Sequence, residues 1–191
     1  MNEKIRQVMR CPWGDTDDQL MRDYHDQQWG KPMHGERELF EMLSLEGAQA
    51  GLSWSTILHK RENYRQAFDN WEVEKIASYA GGKIEELLQD AGIVRNRLKI
   101  RSVVTNAQTV LQLGSFSDWL WAQVDGQPII NQWAQQSQLP AKTELSDRIS
   151  KDMKKLGFKF VGSTIVYSLM QSVGMVNDHL ISCDFRFSAV L

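Results

Sequence analysis

Two cysteines lie near opposite ends of the 191-residue sequence, and each has a histidine in the same end region. Cys11 and His25 fall within the first 25 residues, whereas His179 and Cys183 are four residues apart. On a helix that spacing places both side chains on one face, about 5–6 Å apart. Two thiolates and two imidazoles are a ligand set that tetrahedral Zn²⁺ favours, and four protein ligands leave no position for a reacting water. The pattern therefore suggests a structural zinc ion that fastens the two ends of the chain together.

The spacing alone leaves two alternatives open for the cysteines, namely a Cys11–Cys183 disulfide or two unrelated buried thiols. The long gap between the two pairs is not a standard zinc-finger spacing. No signal peptide is expected, because the first ten residues, MNEKIRQVMR, predict a polar helix. We therefore expect a cytoplasmic protein, and a reducing cytoplasm disfavours the disulfide.

Composition is that of an ordinary globular protein, with 42% hydrophobic and 24% charged residues. The length suits a single domain over residues 1–191, with room for two helical lobes around a pocket. No apolar run approaches the length of a membrane span. The net charge of −2 means that nucleic-acid binding would need a local basic face.

Apolar residues recur at helical spacing through nearly the whole chain, so the sequence predicts an all-α fold. Within the helix at 97–113, Leu98 and Leu111 are expected to face inward. Residues 125–142 read as a connection, and no alternating stretch is long enough for a sheet. The other predicted helices cover 36–50, 54–68, 84–91, 119–124, 146–156 and 163–173, with Ser53, Ser117 and Ser146 as N-caps and with Gly51, Gly92 and Gly114 as stops.

A six-residue segment flanked by glycines, Gly157 to Gly162, joins the last two predicted helices, so a helix-hairpin-helix is expected at about 146–173. Glycine permits a tight turn and a close approach to another surface. The N-terminus of the second helix is a ready anion site. Four lysines cluster on the approach, which fits a clamp for a nucleic-acid backbone. An ordinary corner between two helices with solvated lysines fits the same residues. The lysines are Lys151, Lys154, Lys155 and Lys159.

Glu46 is unusual because it follows Leu39 and Leu43 on the apolar face of its predicted helix. Ionised carboxylates are rarely buried without a partner. Trp54 follows across the corner at 51–53, and an acid beside a large aromatic face could hold a flat cationic ring. The alternative is a glutamate satisfied by the helix caps of that corner.

Several longer motifs extend these observations over nearly the whole chain, from about Arg10 to Cys183. With them, the chain resembles the type I 3-methyladenine DNA glycosylases of the helix-hairpin-helix glycosylase superfamily. The motifs are Cys11-Pro-Trp, Tyr24-His25-Asp26 with Trp29-Gly30, Leu45-Glu46-Gly47, Gly51-Leu52-Ser53-Trp54, Lys60-Arg61-Glu62-Asn63-Tyr64, Asp90-Ala91-Gly92-Ile93, the 157–162 hairpin and Val176-Asn177-Asp178-His179.

The resemblance implies a role for each candidate residue. It implies that Glu46 is the catalytic acid contacting a flipped base, and that the hairpin clamps the DNA backbone. The implied zinc ligands are Cys11, His25, His179 and Cys183; the implied base pocket is Trp54 and Tyr24, with Trp13 and Trp29 close by; the implied backbone contacts are Gly157, Lys159, Gly162 and Ser163.

The resemblance also implies an activity: a monofunctional hydrolase, expected to be a monomer, that acts on alkylated double-stranded DNA. It would flip out 3-methyladenine, release the free base and leave an abasic site. The chain departs from the family pattern in one extra residue between Cys11 and His25 and in Met21, which stands where a pocket tyrosine can occur. Asn177, with Asp178 beside it, stands where the wider superfamily has a catalytic aspartate, and type I enzymes similarly lack that group.

A protein that binds damaged DNA without cleaving it is the competing interpretation. The hairpin, its lysines and a zinc-stabilised fold fit both. Glu46 beside Trp54 distinguishes them, because a passive binder needs no acid in a closed pocket.

Overall fold

The computed structural model describes residues 8–187. The predicted polar helix at the start of the chain mostly falls on residues 1–7, outside this range. Within it, helices dominate, as the sequence predicts. They are α1 (Gln19–Gln27), α2 (Glu36–Gln49), α3 (Trp54–Ala67), α4 (Val73–Ala77), α5 (Gly81–Gln89), α6 (Arg97–Leu113), α7 (Phe116–Ala122), α8 (Glu144–Leu156) and α9 (Ser163–Ser172), with 3-10 turns at Asp69–Trp71 and Gln136–Gln138.

Helix α2 lies at the centre and contacts α3, α6, α7 and α9. The sequence predicts one buried face for this helix, but every residue from Leu39 to Ala48 is buried. The reason is that neighbours surround α2. Its polar residues are therefore buried as well, among them Glu41, which pairs with Arg61 and Arg65 of α3, and Glu46.

Two motifs that carry the family resemblance pack on each other. Lys60 of α3 donates to the carbonyl oxygens of Ala91 and Gly92 at 3.1 Å each, and Asn63 also donates to Gly92. The Tyr64 hydroxyl accepts the backbone N–H of Val94. These contacts fix the turn after α5 against α3.

Several predicted boundaries differ from the structure. Thr143 rather than Ser146 caps α8, since its side chain accepts the Ser146 N–H, and Ser115 rather than Ser117 caps α7. Leu98 and Leu111 of α6 are 68% and 45% exposed, so they do not face inward. Helix α1 and the short α4 were not predicted.

The connection at 125–142 contains a strand, β1 (Ile129–Ile130), which pairs in parallel with β2 (Val176–Asn177). This two-residue pairing was not predicted, because neither segment is long enough to show alternation. It ties the connection to the chain just after α9. No helix between residues 8 and 187 has the length and hydrophobicity needed to cross a membrane.

Candidate active site and metal cluster

A cavity of about 280 Å³ opens between α1, α2, α3 and α9. Glu46 and the four aromatic residues that the sequence predicts at the base pocket all line it. Ring centroids of Tyr24 and Trp54 are 5.1 Å apart, and those of Trp13 and Trp29 are 4.9 Å apart, edge to face. The cavity lies near the lower end of the size range for small-molecule sites, which is roughly 300–1,000 Å³.

Glu46 reaches this cavity from the buried helix α2 and is only 4% exposed. Its Oε2 atom has no hydrogen-bond partner in the described part of the chain, so the helix caps of the 50–53 corner do not satisfy it. Burial raises the pKa of Glu46 to about 8, and the Ser172 hydroxyl opposes this shift only in part. The Glu46 carboxyl group is therefore reluctant to ionise.

Trp54 and Tyr24 supply the aromatic surface beside Glu46. The Trp54 Nε1–H is buried and has no acceptor among residues 8–187. Burial raises the pKa of Tyr24 well above its ordinary value, and the nearby Glu46 charge raises it further. Two unpartnered polar atoms, Glu46 Oε2 and Trp54 Nε1, thus lie at one cavity, which is costly unless a ligand satisfies them.

Six further residues line the cavity, and of these the sequence pointed to the pocket only for Met21, noted as a departure from the family pattern. Ser168 and Gln171 gave a usable signal, because these two polar residues, three apart, interrupt and end the mostly apolar run that begins at Ile165 in helix α9. The remaining three, Gln49, Gln136 and Leu139, lie in or beside connections and gave none.

The predicted metal ligands Cys11, His25, His179 and Cys183 converge, with their ligand atoms all within 4.8 Å of one another and all four residues buried. Both cysteines are free thiols. His179 and Cys183 do not share a helix face, because they lie in an irregular segment with a turn at 181–182.

Sulfur-to-nitrogen distances in this cluster are similar. Cys183 Sγ lies 3.4 Å from His179 Nδ1 and 3.7 Å from His25 Nε2, and Cys11 Sγ lies 3.6 Å from His179 Nδ1. Contact with Cys183 and burial raise the pKa of Cys11, and contact with Cys11 lowers the pKa of Cys183.

The other ring nitrogen of each histidine has its own partner. His25 Nδ1 lies 2.7 Å from Asp26 Oδ1, and Arg10 in turn binds Asp26 through two nitrogens. His179 Nε2 lies 3.1 Å from the Trp29 carbonyl oxygen. Trp13 packs edge-on against the His25 ring at 4.9 Å. The cluster therefore supports the pocket wall formed by Trp13 and Trp29.

The predicted hairpin joins α8 to α9, but its backbone differs from expectation. Gly157 has a φ of 107°, whereas Gly162 is extended, and Phe160 adopts the second positive φ, 54°. Lys159 is held by Asn106 of α6, which accepts its N–H at 2.8 Å and donates to its carbonyl oxygen at 3.1 Å. Next to Phe160 lies Gly47 of α2, where an added Cβ would sit 3.4 Å from the Phe160 Cβ.

Of the four residues predicted to touch a DNA backbone, two use their amides inside the fold. The Gly157 N–H bonds the Lys154 carbonyl oxygen, and the Lys159 N–H bonds Asn106. The Ser163 hydroxyl lies 2.9 Å from that of Ser146. At Gly162 a Cβ would meet nothing within 4 Å, so the fold itself does not demand glycine there.

Comparisons with known proteins agree with this geometry. A family model described as methyladenine glycosylase matches residues 13–187. DNA-3-methyladenine glycosylase 1 of Escherichia coli strain K12 is 47% identical over 178 residues, which cover 91% of this chain and 95% of that protein.

Solved structures are similar to this chain as well. A crystal structure of 3-methyladenine DNA glycosylase I has a TM-score of 0.89 at 49% identity and covers 92% of this chain and 98% of its own. A tyrosine-to-phenylalanine variant of such an enzyme, solved in complex with 3-methyladenine, has a TM-score of 0.89 at 37% identity. The match covers 93% of this chain and 97% of that chain. The chain therefore belongs to the methyladenine glycosylase family.

Proposed function

We propose that this chain hydrolyses the glycosidic bond of 3-methyladenine in alkylated duplex DNA, releasing the base and leaving an abasic site. One observation carries the proposal: Glu46 Oε2 and Trp54 Nε1 are both buried without partners at the wall of an aromatic cavity. A flat ligand with polar edges that enters the cavity would supply hydrogen-bond partners for these two side chains. The glycosylase relatives give the chemistry of that ligand.

The cavity favours a cationic ring over a neutral one. Trp54 and Tyr24 present π-faces, which attract a cation. A positive charge within a few ångströms also favours the ionised form of Glu46, which the empty cavity disfavours. N3-methyladenine in DNA carries such a charge, whereas normal adenine does not. The charge thus provides the selection for damaged bases.

The reaction needs little help from acid–base groups, because a cationic base is already a good leaving group. The bond from the sugar C1′ to the base nitrogen breaks with its electron pair going to the base, which becomes neutral. Glu46 accepts a hydrogen bond from the N6 amino group of the base and holds it in place. Water then adds to the oxocarbenium-like C1′ and loses a proton to solvent. Neither Asn177 nor Asp178 lines the cavity, so no step is assigned to them.

We further propose that the hairpin holds the DNA backbone. Gly162 and Ser163 carry N–H groups at the start of α9 that have no acceptor among the described residues, and such groups bind phosphates. The open space at Gly162 permits a close approach. Lys159 contributes through its exposed side chain, because Asn106 already occupies its amide. Gly47 next to Phe160 brings this clamp against the helix that carries Glu46.

The Cys11, His25, His179 and Cys183 cluster fits a structural Zn²⁺. Tetrahedral zinc with bonds of about 2.3 Å to sulfur and 2.05 Å to nitrogen places those ligands about 3.6 Å apart. The distances of 3.4–3.7 Å match. Bound zinc would stabilise the junction of the two chain ends and, through His25 and His179, hold Trp13 and Trp29. We retain one domain over 1–191, a monomeric state and a cytoplasmic location as parts of this proposal.

The deciding experiment is incubation of the purified protein with N-methylated duplex DNA, followed by chromatography of the released bases. Release of 3-methyladenine, with abasic sites in equal amount and without strand cleavage, is expected. Tight binding of the methylated duplex without base release would instead support the damage-binding interpretation.

A further inference from the structure

Asp178 is a buried acid outside the cavity that the proposed chemistry does not use. It is 0% exposed, and each of its oxygens accepts two hydrogen bonds of 2.7 Å. The Asn131 amide and the Trp133 indole donate to Oδ1. The Tyr167 hydroxyl and the Gln171 amide donate to Oδ2. Its acceptor capacity is thereby filled, so Asp178 acts through its neighbours and not on a substrate.

The most informative of these neighbours is Gln171, because it lines the base cavity. A carboxylate that accepts four hydrogen bonds can pair only with a donor, so the Gln171 amide must turn its NH₂ group towards Asp178. Its carbonyl oxygen, Oε1, then points along the other branch of the amide. No donor to this oxygen occurs within residues 8–187, and it is not among the buried unpartnered atoms. The oxygen is therefore open to the cavity.

The backbone around Gln171 is held as well. Its carbonyl oxygen accepts the N–H of Gly30 at 3.0 Å, which fixes it to the segment after Trp29. Asp178 also anchors Asn131 and Trp133, and the same connection continues to Gln136 and Leu139 at the rim of the cavity. Gln171 is thus held at its backbone by Gly30 and at its side-chain amide by Asp178.

An acceptor fixed at this wall discriminates between purines. An adenine-type ring carries an amino group at C6, whereas a guanine-type ring carries a carbonyl oxygen there. The amino group has two N–H donors, so one can bond Glu46 and the other Gln171. A guanine-type ring places an oxygen against the Gln171 oxygen, and both are left without a donor. Sites built this way reject the mismatched analogue more strongly than apolar walls do.

We propose that Gln171 is a specificity-determining residue for the adenine-type ring and that Asp178 is the positioning residue that holds its amide in the selective orientation. This inference rests on the proposed excision of 3-methyladenine and adds to it the choice between 6-amino and 6-oxo purines.

The test measures single-turnover excision from two duplexes, one containing 3-methyladenine and one containing 3-methylguanine, and compares their rate ratio. Gln171→Met keeps the side-chain length but removes the amide, so the ratio should fall about tenfold through slower 3-methyladenine release. Asp178→Asn turns an NH₂ towards the Gln171 amide and favours its flipped form, so the ratio should fall at least as far, with 3-methylguanine released faster than by Gln171→Met. The matched control is Gln108→Met, which should keep the parent ratio. Gln108 is an exposed glutamine on α6 whose amide donates a hydrogen bond to the Ala77 carbonyl oxygen.

Asp178 is buried next to His179, one of the proposed zinc ligands, so the Asp178→Asn protein can fail to fold. In that case the Gln171→Met variant, at a partly exposed position, decides the question. If Gln171→Met keeps the parent's rate ratio, whether both rates stay the same or both fall equally, the inference is overturned. The proposed excision activity of the parent protein is not affected by that outcome. A parent protein that releases neither base would instead contradict the proposed function, before any variant is compared.

Discussion

Replacing Glu46 with glutamine should stabilise the empty protein while slowing catalysis. In the fold, the Glu46 carboxyl keeps its proton up to about pH 8, whereas its ordinary pKa is 4.5. Between these values the unfolded chain binds fewer protons than the folded one, so the free energy of unfolding falls as pH rises. Glutamine does not titrate in this range, so the free energy of unfolding of Glu46→Gln should not fall with pH for this reason.

The size of the effect follows from the pKa values. Each pKa unit corresponds to about 1.4 kcal/mol, so the parent is penalised by about 3 kcal/mol at pH 7 and by less than about 1 kcal/mol at pH 5. For a chain of this length, 1 kcal/mol shifts Tm by roughly 2–4 °C. The Tm advantage of Glu46→Gln should therefore grow by about 5–10 °C between pH 5 and pH 7, measured by calorimetry without DNA.

Activity should change in the opposite direction. Glutamine keeps the shape but loses the charge that faces the cationic base, and a hydrogen bond to a charged group contributes about 1.5–3 kcal/mol. Single-turnover release of 3-methyladenine should slow by about ten- to a hundredfold. Binding to a duplex with an uncharged abasic analogue should stay unchanged, because the hairpin is untouched.

Glu74→Gln, on the exposed face of α4, is the matched control and should alter neither property. A Tm difference between parent and Glu46→Gln that is equal at pH 5 and pH 7 would refute the argument from burial. Excision as fast as the parent's would leave Glu46 a structural residue.

Three further changes test the rest of the site. Elemental analysis should find one zinc per chain in the parent and none in Cys183→Ala, whose free energy of unfolding should be lower by several kcal/mol, whereas Ser182→Ala should match the parent in both. Active parent protein without zinc would contradict this. Lys159→Glu should weaken binding to damaged and undamaged duplexes alike and flatten the salt dependence, compared with Lys75→Glu, and a changed base preference would count against the clamp. Trp54→Ala should lose stacking of about 1–3 kcal/mol in excision kinetics, while Trp54→Phe recovers most of it; equal rates for all three proteins would exclude the stacking role.

The sequence by itself determined the helical class and singled out the Cys/His cluster and the centre of the cavity. Cys11, His25, His179 and Cys183 carry rare side chains whose chemistry has few uses, so their types were informative before their positions were known. Glu46 stood out for a similar reason, because a carboxylate on an apolar helix face is costly without a function. The family motifs placed the aromatic residues around it.

Only the tertiary structure decided how these residues are supported. Asp178 receives donors from the distant connection at 131–133 as well as from nearby α9, and Asn106 occupies an amide of the hairpin, because packing brings together residues far apart in the chain. The same holds for Gln136 and Leu139, which reach the cavity through a connection with no periodic pattern. His179 and Cys183 meet across a turn, since ligand atoms need only a common centre and not a common helix. The sequence specifies the type of each side chain, but the hydrogen-bond partners and orientations of these side chains result from long-range packing.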